Sequence, residues 1–213
     1  HSMYANRCYF FTATPKHSKT PFKIGMNDQD IFGRVLVNVP APKLVDEGVI
    51  LPPKVRIKKI DVVDDSRFKH EHDCDHVIST MDEIDTDKVL ICARSTKQIV
   101  NLVSQSDFCI ELRDRGYSWM YITAKTGAVV DGKKVDRESF FNTLNEWGKD
   151  DTKKFVVLHH SILSEGINVS GLEAAVFLRN MDYITISQTI GRVIRKGGEN
   201  KTFGLISVPV YDR

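Results

Sequence analysis

The chain has 213 residues, 41% of them apolar, enough for one large domain, or one domain with an extension, to bury a core. Thirty basic and 28 acidic residues nearly cancel, so bulk charge does not argue for a nucleic-acid partner and any such site must be local. No run reaches the roughly 18 apolar residues of a membrane helix, no secretory signal is visible, and four cysteines without a Cys-x-x-Cys pair fit a reduced, cytoplasmic chain with no membrane partner.

His1-Ser2-Met3 reads as a cloning remnant and is set aside. Residues 4–14 read as one strand, 16–34 as a polar loop and Val35–Val39 as a short strand. Pro40 to Gly48 has room for one helical turn around Lys43-Leu44-Val45, with Asp46-Glu47 flanking the turn before Gly48. Pro52-Pro53 breaks the chain ahead of residues 55–63, which alternate like a strand with one wet face. Residues 65–83 are mostly polar and read as a poorly specified helix.

From residue 88 the pattern becomes strand, helix, strand. Residues 88–93 are a buried strand, and Ser95-Thr96 cap a helix running to about Gln105. Tyr117–Thr123 is the next strand. Asp136 caps a helix whose Phe140, Phe141, Leu144 and Trp147 repeat at helical spacing as a core stripe. Strands follow at 155–159 and 175–178, then a helix through 184–195, then a strand at 202–208. The alternation predicts an α/β fold: a parallel sheet with helices on both faces.

Cys8 and Cys92 fall in apolar strands and read as small buried residues. His70-Glu71-His72-Asp73-Cys74-Asp75-His76 would offer alternating His and Cys to zinc if it lay on one strand face, but its charge argues for an exposed stretch, and no metal site is expected.

The helix at 184–195 carries the strongest pattern. At about 100° per residue, Gln188, Gly191, Arg192 and Arg195 fall within roughly one quadrant, with Ile186, Ile190, Val193 and Ile194 opposite. Its glycine costs about 1 kcal/mol relative to alanine, and from spacing alone the helix is either a solvated cationic face or a site for something anionic. Gln188-x-x-Gly191-Arg192-x-x-Arg195 resembles the last motif of superfamily-two helicases and translocases. Ser161-Ile162-Leu163-Ser164-Glu165-Gly166-Ile167-Asn168 resembles their fifth motif, with Asn168 where the family has aspartate and His160 where it has a phosphate-contacting threonine. Thr12-Ala13-Thr14-Pro15 resembles their third motif, which couples nucleotide state to nucleic-acid binding.

The three matches stand in the family's order. The resemblance implies a RecA-like second lobe over residues 65–213. Before it come the end of the first lobe at 4–15, bearing Thr12, Ala13 and Thr14, and an inter-lobe linker with added strands at 16–64. It implies that Arg192 and Arg195 are arginine fingers for the γ-phosphate, since guanidinium stays charged and grips phosphate oxygens in a fork. Gln188 would orient that helix, and Gly166, Asn168 and Gly191 would line the ATP site. Within the class, the helicase subunits of type I and type III restriction enzymes look most similar, on Thr12-Ala13-Thr14-Pro15-Lys16, Ile31-Phe32-Gly33 and Glu47–Pro53.

The phosphate-binding loop and the acidic magnesium motif are not in this sequence. Gly197-Gly198-Glu199-Asn200-Lys201 lacks the spacing, and Asp46-Glu47 stands in the wrong order. ATP and Mg2+ would thus be held mainly by a first lobe elsewhere in the protein, and the isolated chain is expected to hydrolyse no ATP. Three stretches fall at carboxyl ends of parallel strands: Arg94-Ser95-Thr96-Lys97, Ala124-Lys125-Thr126-Gly127 and His160-Ser161-Ile162. By resemblance Arg94, Ser95, Lys97, Lys125, Thr126, His160 and Ser161 face a nucleic-acid backbone, DNA ahead of RNA. Hydroxyls, lysines and helix N-termini do hold phosphate without reading sequence. The other local reading is an ordinary capped turn for each, and for His160 a satisfied strand-end histidine. The expected function is an ATP-driven helicase or translocase. The competing one is a non-catalytic platform for protein or strand binding, favoured by Asn168. A Rossmann-like transferase lacks its glycine fingerprint.

Overall fold

The computed structural model describes residues 8–12, 15–20, 22–61, 67–160, 171–178 and 204–212. Their elements, in chain order, begin with helices α1 (Gln29–Phe32) and α2 (Ala41–Asp46) and strand β1 (Pro53–Asp61). Next come α3 (Lys69–Ile84), β2 (Lys88–Cys92), α4 (Thr96–Gln105), α5 (Phe108–Asp114) and β3 (Ser118–Thr123). Then follow β4 (Gly127–Val130), β5 (Lys133–Val135), α6 (Arg137–Lys149), β6 (Phe155–His159), β7 (Ala174–Phe177) and β8 (Gly204–Asp212). The strands form one sheet in the order β1-β8-β7-β2-β6-β3-β4-β5. From β1 across to β3 all neighbours run parallel; β4 and β5 extend the sheet antiparallel.

β2 and β6 are near-continuous apolar runs and are buried along their whole length, as strands covered on both faces must be. Their alternate residues feed two cores. Val89, Ile91, Val156 and Leu158 pack with α3, α4 and α5 through Val77, Met81, Ile99, Leu102, Phe108 and Leu112. Leu90, Cys92, Phe155 and Val157 pack with α6 through Phe140 and Leu144. Each of these side chains gains roughly 1.5–3 kcal/mol from leaving water. The aromatic stripe on α6 is core, with Phe141 and Trp147 at its margin. The expected α/β sheet with helices on both faces is therefore the observed architecture.

Several local expectations are corrected. Residues 8–12 and 35–39 are irregular and exposed where strands were expected, and Cys8 is exposed rather than buried. Both stretches have strand-forming composition, but composition alone does not make a strand, which also needs ladder pairing. The polar loop at 16–34 contains the single turn α1, capped by Asp28. The strand expected at 55–63 starts two residues earlier, at Pro53, and pairs with β8 through Asp61, while 62 and 63 lie outside the described residues. β7 begins one residue earlier than expected. The poorly specified helix read at 65–83 is present as the well-formed 16-residue α3, from Lys69 to Ile84. Its buried face includes Asp73, His76 and Thr80, polar groups that are hydrogen-bonded and so tolerated in a core. In a helix the alternating His and Cys of 70–76 point to different sides and do not gather as they would on a strand face.

Candidate functional site

The sheet register gathers the expected loops at one edge. Cys92 at the end of β2 sits beside His159 at the end of β6, and His159 sits beside Ile122 near the end of β3. On the other side Cys92 pairs with Phe177 at the end of β7. The chain therefore leaves β7, β2, β6 and β3 along a single carboxyl-terminal edge, where open α/β sheets place their ligands.

The loop after β2 is held from within. Ala93 donates its N–H to the His159 carbonyl at 3.0 Å, prolonging the ladder by one residue. Ser95 is the N-cap of α4, and its Oγ accepts the Gln98 N–H at 3.2 Å. Gln98 Oε1 accepts the Arg94 N–H at 2.9 Å, while Gln98 Nε2 donates to Asp73 Oδ2 of α3 at 2.8 Å. Gln98 and Asp73 are both buried; the side chains of Arg94 and Lys97 are exposed. The N-terminus of α4, the positive end of its dipole, opens onto this edge beside those two cations.

The stretch Ala124–Thr126 is a hairpin turn, not the start of a crossover: β3 turns back into antiparallel β4 with Thr123 opposite Gly127. Thr123, itself buried, organises the turn. Its Oγ1 accepts the Thr126 N–H at 3.0 Å and lies 2.6 Å from the Thr126 hydroxyl. Gly127 closes the turn at φ +75°, a value that favours glycine. Lys125 projects at the tip, fully on the exposed side. His160, the first residue past β6, is half-buried. Beneath it His159 is buried, with Nε2 at 3.3 Å from the Cys92 thiol.

α3 reaches the same edge a second time. His76 Nε2 lies 3.3 Å from the carbonyl of Phe177, the last residue of β7. Burial holds the His76 imidazole below its usual range, outweighing that hydrogen bond. The neutral imidazole then donates from Nε2, and the Thr80 hydroxyl donates to the His76 carbonyl at 2.6 Å.

Of the expected site residues, Arg94, Ser95, Lys97, Lys125, Thr126 and His160 thus share one edge, and Thr12 is exposed in irregular chain. Ala13, Thr14, Ser161, Gly166, Asn168, Gln188, Gly191, Arg192 and Arg195 lie outside the described residues. Gln98, Asp73 and His76 were missed by sequence reasoning. The local sign for Gln98 was its place three residues after Ser95, where a capping-box partner stands; nothing local marks Asp73. Among the described residues no set of three or more His, Cys, Asp or Glu side chains converges on a metal position. No described helix is long and apolar enough to cross a membrane.

No protein-family model and no curated protein matches the sequence. Solved structures do. The ATP-dependent type ISP restriction-modification enzyme LlaBIII, in a structure bound to DNA, matches 95% of this chain at 18% identity and a TM-score of 0.65. The chain spans 15% of that enzyme's length. The C-terminal part of the Fun30 ATPase domain matches 66% of the chain at 14% identity and TM-score 0.46, covering 41% of that structure. The helicase domain of Hef from Pyrococcus furiosus matches 66% at 14% identity and TM-score 0.40, covering 25%. At these identities the likeness is one of fold. The fold shared with LlaBIII is the α/β, RecA-like one expected from the sequence, a mostly parallel sheet with helices on both faces.

Proposed function

We propose that this chain is the second lobe of an ATP-driven helicase or translocase that acts on nucleic acid, DNA ahead of RNA, in the cytoplasm. The observation that carries the reading is the register of β7, β2, β6 and β3. It brings the cationic and hydroxyl-bearing loops after β2, β3 and β6 into one row, along the edge where β7 also ends. Arg94, Ser95, Lys97, Lys125, Thr126, His160 and Ser161 contact the strand through its phosphates, which suits a motor that must move along any sequence.

Arg192 and Arg195 act as arginine fingers, Gln188 orients them, and Gly166, Asn168 and Gly191 line the nucleotide. When bound, ATP with Mg2+ supplies the transferable γ-phosphoryl group. That donor set lies outside the described residues. The N-terminal stretch supports a partner lobe. Phe11 is 93% exposed, Val35 81% and Val37 78%, with Tyr9, Phe10 and Leu36 exposed beside them. An apolar segment this open is a contact surface for another body, here the first lobe of the same protein, with Thr12-Ala13-Thr14 at the junction.

Fluorescence anisotropy with labelled single-stranded DNA, duplex DNA and RNA tests this. Binding that weakens steeply with salt, together with no magnesium-dependent ATP hydrolysis by the 213-residue chain, is the expected result. Robust hydrolysis by the chain alone would contradict the fragment reading. No binding to any of the three at about 50 mM salt would remove the strand assignment and leave a protein-binding platform.

A further inference from the structure

Gln98 is placed unlike an ordinary helix residue. It stands in the first turn of α4, is 9% exposed, and uses both ends of its carboxamide. Oε1 takes the Arg94 N–H and Nε2 gives to Asp73 Oδ2. The orientation of the amide is fixed by its neighbours: an N–H can only donate and a carboxylate can only accept, so the flipped amide would lose both bonds. Asp73, 7% exposed, is carried on α3, whose Cys74, Val77, Ile78 and Met81 are set in the core. One turn along, His76 of the same helix holds the carbonyl of Phe177. One rigid helix thus fixes the exits of two neighbouring strands, β2 and β7. A buried carboxylate and amide cost more to desolvate than an apolar pair would. What they add is direction: the Arg94 N–H is drawn inward and the guanidinium-bearing side chain is left outside, beside the α4 N-terminus.

We propose that Gln98 and Asp73 are positioning residues that hold Arg94 and Ser95 in the geometry in which they meet a nucleic-acid backbone. This rests on the strand-binding reading of the edge. Neither residue touches the ligand, so their loss acts through the loop.

The test uses the whole chain, a labelled single-stranded oligonucleotide and a salt series. In Gln98→Glu, the new carboxylate still accepts from Arg94 but faces the carboxylate of Asp73. Affinity is expected to fall about tenfold, and the salt slope to lose about one phosphate. The double variant Asp73→Asn with Gln98→Glu restores a donor opposite the acceptor and recovers most of both. Gln98→Met, apolar and of similar volume, removes both bonds without introducing a charge; it gives the same loss and serves if Gln98→Glu does not fold. Val77→Ala, which destabilises α3 without touching the loop, leaves affinity and slope at wild-type values when measured well below its melting temperature. If Arg94→Ala loses affinity while Gln98→Glu and Gln98→Met bind as wild type, the positioning role is wrong and the strand-binding reading stands. If Arg94→Ala itself binds as wild type, Arg94 is not at the interface and the proposal falls with that part of the reading.

Discussion

Replacing Arg94, Lys97 and Lys125 together with alanine is the sharpest perturbation of the proposed interface. The three side chains are exposed, and among the described residues none is in an ion pair, so their charges are available to a ligand. Truncation leaves the backbone bond from Arg94 to Gln98 in place, and the cost in stability is expected to stay within about 0.5 kcal/mol. Losing Lys97 from the first turn of α4 even relieves a repulsion with the helix dipole. Each phosphate neutralised on a single strand contributes about 0.7 to the slope of log affinity against log salt. Three lost contacts lower the slope by roughly 2. Between about 50 and 200 mM salt the wild-type chain should then lose about 20-fold more affinity than the triple variant does. The assay is anisotropy across that range, with unfolding curves alongside. Lys149, Lys153 and Lys154, which precede β6 at the opposite edge, provide the control, because their removal changes net charge equally. Unchanged slope in the first variant, or an equal change in the control, would refute the assignment of the edge.

Three further outcomes follow from the local geometry. Ser95→Ala removes the acceptor for the Gln98 N–H and should cost about 1 kcal/mol by urea unfolding. Gly171 has φ +87° and its Cβ position lies 2.1 Å from the Gly148 carbonyl, whereas Gly33, at φ +71°, opens on free space. Gly171→Ala should therefore destabilise clearly more than Gly33→Ala, for which backbone strain alone costs roughly 1–2 kcal/mol; equal losses would mean the close approach is not real. His76 is neutral in the fold, with its pKa depressed by burial and by Lys58, against the Phe177 carbonyl, Asp73 and Glu83. The unfolded chain then binds a proton first as pH falls below about 6.5, so stability is full above that value and declines toward the folded pKa. His76→Asn should flatten the melting temperature between about pH 7 and 5; an unaltered pH profile would refute this.

The parallel core was legible because β2, β6 and α6 declare themselves by pattern: continuous apolar runs for strands buried on both faces, and Phe140 and Leu144 at helical spacing. The Ser95 and Asp136 caps read correctly for the same local reason, since each side chain accepts an N–H three residues on. The β4–β5 hairpin was missed although Asp131-Gly132 signalled it. Both residues have positive φ, 44° and 80°, the mark of a type I′ turn. Its strands are four and three residues long, too short for alternation to stand out. α5 escaped because seven residues give barely two turns of periodicity. The N-terminal stretches failed in the other direction: Val35-Leu36-Val37 has strand propensity, but propensity forms no strand without a neighbour. Asp73 and Gln98 were beyond local pattern, because 25 residues separate them and only the packing of α3 on α4 brings them together.

The measurement that tests the central claim most directly is amide hydrogen exchange of the chain with and without a saturating single-stranded oligonucleotide. Slowed exchange is expected at Arg94–Lys97, at Lys125–Thr126 and at His160, the carboxyl edge of β2, β3 and β6. No change is expected at Asp87, Ser118 and Lys153–Lys154, where the same strands begin. Protection confined to the opposite edge, or to the α3–α5 face, would contradict it.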